Sequence, residues 1–135
     1  MPMKIFVNLP VKDLSKSMDF FKALGWSFNL QFTDETAACL VISDDIYAML
    51  LTHEKFKQFT PKEICDTSKA TEVLTALSFD SREQVDEIVK KAVAAGGSLY
   101  AEPKDYGFMY QHSFQDLDGH SWEVFYMDES AIPAG

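Results

Sequence analysis

Few side chains in this sequence could do chemistry, and they are unevenly spread. Glu123 stands in Trp122-Glu123-Val124, where alternation turns the two apolar neighbours one way and the carboxylate the other. A carboxylate on such a face can act as a general base, pair with a cationic group of a ligand, or hydrogen-bond a neighbour such as Asn8, Ser78 or a tyrosine as part of the structure. The histidines are His53, His112 and His120. A His/His/Glu metal set with Glu123 can be drawn on paper, but the H-x-x-E spacing puts His120 and Glu123 on opposite faces of a strand. His112 either meets a ligand at a rim or is an exposed strand histidine. Tyr100, Tyr106, Phe108 and Tyr110, with Gly107 among them, form an aromatic segment that would stack on a planar ligand or pack at a dimer seam. Cys39 and Cys65 have no C-x-x-C spacing and read as free thiols.

The elements that must position these groups follow from periodicity. Lys4 to Val11 alternates as a strand; Asp13 caps a helix whose apolar stripe is Leu14, Met18, Phe21 and Leu24; and Gly25 stops it. Trp26 to Phe32, Ala37 to Ile42 and Ile46 to Thr52 read as three strands, with Ser43-Asp44-Asp45 as a tight turn. A polar connector runs over about 53–72, with a short helix start at Thr60-Pro61-x-Glu63. Val73 to Asp80 is again a strand, and Ser81 with Gln84 forms a capping box. The following helix carries Val85, Ile88, Val89, Ala92 and Val93 on one face and ends at Gly96-Gly97. Ser98 to Glu102, Tyr110 to Gln115 and Trp122 to Met127 complete the second set of strands, the last two joined at Asp118-Gly119.

Both halves therefore read β-α-β-β-β, and Val11-x-Asp13 superposes on Phe79-Asp80-Ser81. The expected fold is α+β: two tandem modules, about 4–52 and about 73–128, forming one domain with a curved eight-stranded mixed sheet and helices on its convex side. Its concave side would be a ligand cup. Phe6, Leu74 and Phe125 would line that cup or fill a closed interior, with Asn8, Ser78 and Glu123 as polar handles.

Composition bounds the partners. The chain has 135 residues, a size suited to one domain, and a formal charge of −9 that would repel a polyphosphate. Nucleic acid is not expected, and no apolar run approaches the roughly 20 residues of a membrane span. The N-terminus lacks an apolar signal core because Asn8 and Pro10 interrupt it, so a cytoplasmic location is expected. Aromatic residues make up 13% of the chain, a surplus that a pocket wall would absorb.

Two segments resemble a known family. Asn8 to Gly25, Asn-Leu-Pro-Val-Lys-Asp-Leu-Ser-Lys-Ser-Met-Asp-Phe-Phe-Lys-Ala-Leu-Gly, is similar to the opening strand and helix of the vicinal oxygen chelate superfamily. Phe114 to Val124, Phe-Gln-Asp-Leu-Asp-Gly-His-Ser-Trp-Glu-Val, resembles its closing F-x-D-P-D-G-H-x-x-E-L hairpin. That superfamily includes glyoxalase I, extradiol dioxygenases, fosfomycin-resistance enzymes and bleomycin-resistance proteins, so the resemblance implies the fold and leaves the chemistry open. It also implies metal ligands on the first strand of each module, on a later strand of the first module and at the closing glutamate. Those positions carry Phe6, Leu74 and Met49 or Leu50 here, and only Glu123 keeps a hard donor. What the resemblance implies is a homodimer that binds a small organic molecule in an apolar-aromatic cup, without a metal or other cofactor. Glu123 is its candidate catalytic group, and Phe6, Asn8, Leu74, Ser78, His112 and Phe125 are its candidate ligand contacts. The alternatives are a glyoxalase-like lyase or dioxygenase with a metal centre rebuilt from His53, His112, His120 and Glu123, and a regulatory dimer with a filled cup.

Overall fold

Alternation in the first strand sets the first layer of the structure, a computed structural model that describes residues 3–131. Strand β1 (Ile5–Val11) buries Leu9 and Val11 on one side and leaves Phe6 and Asn8 exposed on the other. It runs parallel to β4 (Ile46–Thr52), which pairs antiparallel with β3 (Ala37–Val41), and β3 pairs with β2 (Ser27–Asn29), giving the order β1-β4-β3-β2. Helix α1 (Leu14–Ala23) returns across one face of this sheet. The Asp13 carboxylate accepts the Lys16 N–H at 3.1 Å, and Gly25 ends the helix at φ 99°, which only glycine adopts without strain.

The buried stripe of α1 lies slightly round from the expected one. Ser17, Phe20, Phe21 and Leu24 are buried, whereas Leu14 and Met18 are half-exposed. Two adjacent rings decide this: Phe20 and Phe21 meet edge to face at 5.0 Å, and the helix turns so that both reach the sheet, with the small Ser17 letting it approach. Strand β2 is shorter than the alternation suggests, because the Asn29 side chain accepts the Gln31 N–H at 3.0 Å and winds Leu30–Phe32 into a 3-10 turn. The connector's helix also lies earlier than expected. The Thr52 hydroxyl accepts the Lys55 N–H and starts α2 (His53–Lys57) directly off β4, while the Thr60 hydroxyl accepts the Lys62 N–H in a local turn that no helix follows. Cys39 is buried in β3, Cys65 lies in the connector, and both are free thiols.

The chain divides into two compact units at Ala70/Thr71. In the second, β5 (Leu74–Phe79) runs parallel to β8 (Ser121–Met127), which pairs antiparallel with β7 (Met109–Gln115), and β7 with the two-residue β6 (Lys104–Asp105). The order is β5-β8-β7-β6. Each unit is thus a mixed four-stranded sheet in β-α-β-β-β order, the α+β tandem arrangement expected. Helix α3 (Arg82–Ala94) buries Val85, Ile88, Val89 and Ala92, as its spacing requires, and leaves Val93 exposed. Its cap is Ser81, whose hydroxyl accepts the Gln84 N–H at 3.2 Å; the Gln84 side chain reaches back one residue further than a capping box, to the Asp80 N–H at 2.9 Å.

The expected strand at Ser98 to Glu102 reduces to a single bridge between Ser98 and Gln115. Pairing resumes only at β6, where Asp105 is held by Arg82 at 2.7 Å and by the Gly107 N–H at 2.8 Å. That anchor, beside a positive-φ turn at Gly107, decides which residues lie alongside β7.

Candidate functional site

The hairpin of β7 and β8 separates its side chains into two sets. His112, Phe114, Trp122 and Val124 share the side packed by α3, where Phe114 stacks on Trp122 at 6.2 Å. Gln111, Ser113, Glu123 and Phe125 share the side opposite to the one α3 packs against. Strand β5 extends that open face with Leu74, Ala76 and Ser78, in register with Ser121, Glu123 and Phe125.

Glu123 is built into this face. One carboxylate oxygen accepts the Tyr100 hydroxyl at 3.0 Å and the other accepts the Gln111 amide N–H at 2.9 Å. Burial, reinforced by the hydrogen bond to Glu123, pushes the Tyr100 phenol above its ordinary pKa, so it remains a donor at neutral pH. A recess of about 150 Å³ opens here, lined by Tyr100, Glu102, Lys104, Gln111, His112, Ser113 and Glu123 among others. Leu74 is 56% exposed beside it on the same face, so the carboxylate sits between hydrocarbon and solvent.

The candidate residues fall as follows. Leu74, Ser78, Glu123 and Phe125 share the open face of the second sheet. Phe6 and Asn8 share the open face of the first, where Phe6 stacks on Tyr47 at 4.6 Å and the Asn8 amide donates to the Phe6 carbonyl at 3.1 Å. Pairing with Val124 turns the His112 side chain to the helix side, and the residue also borders the recess at Glu123. His53 opens α2, and His120 lies in the turn before β8, its N–H donating to Asp116. The tyrosine segment disperses: Tyr100 joins Glu123, Tyr106 is exposed, and Tyr110 points to the helix side. Gln111 and Tyr47 were not singled out by their types; only strand register brings them to these faces.

The metal positions implied by the resemblance can be tested on chemistry. Glu123 is flanked in register by Ala76 and Ser113, Phe6 and Leu74 are hydrocarbon, and among the described residues no three of His, Cys, Asp and Glu converge. This donor set does not fit a hard divalent ion, which needs several carboxylate or imidazole groups together.

On the helix side, the Tyr110 hydroxyl donates to Asp86 at 2.6 Å, with the Arg82 guanidinium 5.3 Å from its ring centre. The Asp86 carboxylate pushes the phenol up to about 12 from 10.0. A raised folded-state pKa means that this bond's stabilisation is complete below pH 10 and is lost as pH rises through about 12. Absorbance titration of tyrosinate should show one component near 12 that disappears in Tyr110→Phe and moves down in Asp86→Asn. An unchanged titration curve in both variants would refute the assignment.

A family model described as the Glyoxalase/Bleomycin resistance protein/Dioxygenase superfamily matches residues 5–124, nearly the whole chain. The chain belongs to this superfamily. A solved hypothetical protein from S. aureus is 30% identical to this superfamily member, covers 93% of this chain and 95% of its own, and superposes with a TM-score of 0.78. A glyoxalase/bleomycin resistance protein/dioxygenase family enzyme from Burkholderia phytofirmans is 19% identical over 90% of this chain and 96% of its own, at a TM-score of 0.75. An antibiotic binding protein from Streptomyces sp. is 17% identical over 94% of this chain and 97% of its own, at 0.66. The last two likenesses establish the fold alone. No curated protein matches the chain. No helix among the described residues is long and apolar enough to cross a membrane.

Proposed function

We propose that this chain binds a small organic molecule against the open face of its second sheet, with Glu123 as the polar anchor and without a catalytic metal. The observation that carries the reading is a carboxylate held at both oxygens, by Tyr100 and Gln111, on a face otherwise made of Leu74, Ala76, Ser78 and Phe125. A few placed polar groups among hydrocarbon and rings is the composition of an organic-ligand site. The anchoring hydroxyl and amide fix the carboxylate's direction, so a cationic or N–H-bearing ligand meets a pre-oriented acceptor. The net charge of −9 favours a cation over an anion in the same place. An antibiotic binding protein of the same fold is a precedent for ligand capture by this architecture. Phe6 and Asn8 present the equivalent face of the first unit, and the two modules, about 4–52 and about 73–128, are taken as one cytoplasmic domain that forms a homodimer.

Calorimetric titration with flat cationic aromatic compounds tests this. Glu123→Gln should weaken binding roughly tenfold to a hundredfold, the worth of one hydrogen bond to a charged group at about 1.5–3 kcal/mol. The melting temperature of the unliganded protein should hardly move. Stoichiometric metal in the purified protein, lost in Glu123→Gln together with a lyase or dioxygenase turnover, would overturn the metal-free reading. A single monomer mass in sedimentation would overturn the dimer.

A further inference from the structure

The helix side of the second unit holds a larger opening than the recess at Glu123. It has a volume of about 470 Å³ and lies between α3 and the segment after it, with walls from Val89, Val93, Ala94 and Leu99. Val93 is 44% and Leu99 52% exposed, so the hydrocarbon is within a ligand's reach. The two units differ at the end of the helix. Counted back from the helix stop, Phe21 and Ala92 hold the same position (25 − 21 and 96 − 92). In the first unit Trp26, the residue after the helix-stopping Gly25, stacks on Phe21 at 6.0 Å and closes the corner. In the second unit Gly97 follows the corresponding Gly96 and its N–H bonds the Ala92 carbonyl as the Trp26 N–H bonds that of Phe21, so no ring follows the stop.

Three polar side chains line this opening. Asp86 already accepts the Tyr110 hydroxyl. His112 is only 9% exposed; the Ser113 N–H donates to its Nδ1 at 2.9 Å, which places the hydrogen of the neutral ring on Nε2, a donor with no protein acceptor among the described residues. Lys90 likewise forms no ion pair among the described residues. An apolar groove with two unspent donors, one of them cationic, complements an acceptor on an apolar body. We infer that this groove is a second binding site, distinct from the Glu123 face, for a small monocarboxylate with an aliphatic or aryl body. The carboxylate lies between Lys90 and His112, and the body lies along Val89, Val93 and Leu99. The opening is within the volume range of small-molecule sites.

Titration of the full-length, isotope-labelled protein with octanoate, followed by amide and methyl NMR shifts, tests this. The expected result is saturable shifts at Val89, Val93, Leu99 and His112. Lys90→Glu and Val93→Glu, both at exposed positions that leave the core intact, should each weaken octanoate at least about tenfold by placing a carboxylate against the ligand. Octylamine, with the same body and opposite charge, should not saturate these residues. Glu123→Gln should leave the octanoate titration unchanged, which separates this site from the one on the open face. Absence of saturable shifts at these residues, equal binding of octylamine, or insensitivity to Lys90→Glu would each overturn the proposal. Shifts confined to Gln111, Ser113 and Glu123 would also overturn it.

Discussion

Asp116→Ala is expected to destabilise the protein by about 3–4 kcal/mol, lowering the melting temperature by roughly 10 °C. Asp116 is buried at the turn between β7 and β8 and holds three donors at once. One oxygen accepts the N–H groups of Asp118 at 2.9 Å and His120 at 3.0 Å, and the other accepts the Trp122 indole N–H at 3.0 Å. Burial pushes its carboxyl pKa up, while the charge of His120 and the three donors pull the other way. Alanine would leave the indole N–H facing the core without its acceptor and would release the turn that starts β8. The cost follows from stranding buried donors, each worth about 1–3 kcal/mol when no water reaches it. Urea denaturation followed by circular dichroism measures the loss. Trp122→Phe removes the stranded N–H, so Asp116→Ala should cost less in that background, and the double-mutant cycle reports the coupling. A loss below about 1 kcal/mol for Asp116→Ala would show that the turn does not depend on the carboxylate.

The other large effect belongs to the first unit. Phe21→Ala should destabilise by about 3–5 kcal/mol, the usual range for removing a buried ring. Phe21 is 1% exposed and packs between Phe20, edge-on at 5.0 Å, and Trp26, stacked at 6.0 Å. Truncation removes these ring contacts and leaves a void that α1 cannot close without moving off the sheet. Phe21→Leu, which refills most of the volume, should recover more than half of the loss. The same denaturation experiment decides it, and equal losses for the alanine and leucine variants would show that ring stacking, rather than volume, carries the contribution.

What could be read from the chain alone was whatever depends on neighbours within a turn of helix or a few residues of strand. Asp13 and Ser81 as caps, Gly25 and Gly96 as stops, and the inward Trp122 and Val124 against outward Glu123 all follow from local hydrogen-bonding needs and from periods of 3.6 and 2. The displaced features were competitions that local pattern does not settle. An Asn29 side chain ended β2 early, the Thr52 hydroxyl started α2 before the proline, and the clasp of Arg82 and Gly107 on Asp105 moved the pairing of β6.

The candidate site divides in the same way. Glu123 stood out as the one hard donor left at the metal positions that the resemblance to the vicinal oxygen chelate superfamily implies, and that resemblance rested in part on the hairpin around it. Its partners did not stand out: Gln111 and Tyr100 lie 12 and 23 residues away, and only the pairing of β7 with β8 and the path of the loop before β6 bring them to its two oxygens. The same pairing turned His112 to the helix side, since one register decides the face of every residue on the strand. By itself the sequence determined the superfamily, the two β-α-β-β-β units and the candidate carboxylate, because these depend on short-range periodicity and motif spacing. The tertiary structure alone decided which donors hold Glu123, which face His112 occupies, and that an opening forms between α3 and Leu99 in the second unit. Those outcomes depend on long-range register and on volumes that meet only when distant segments pack.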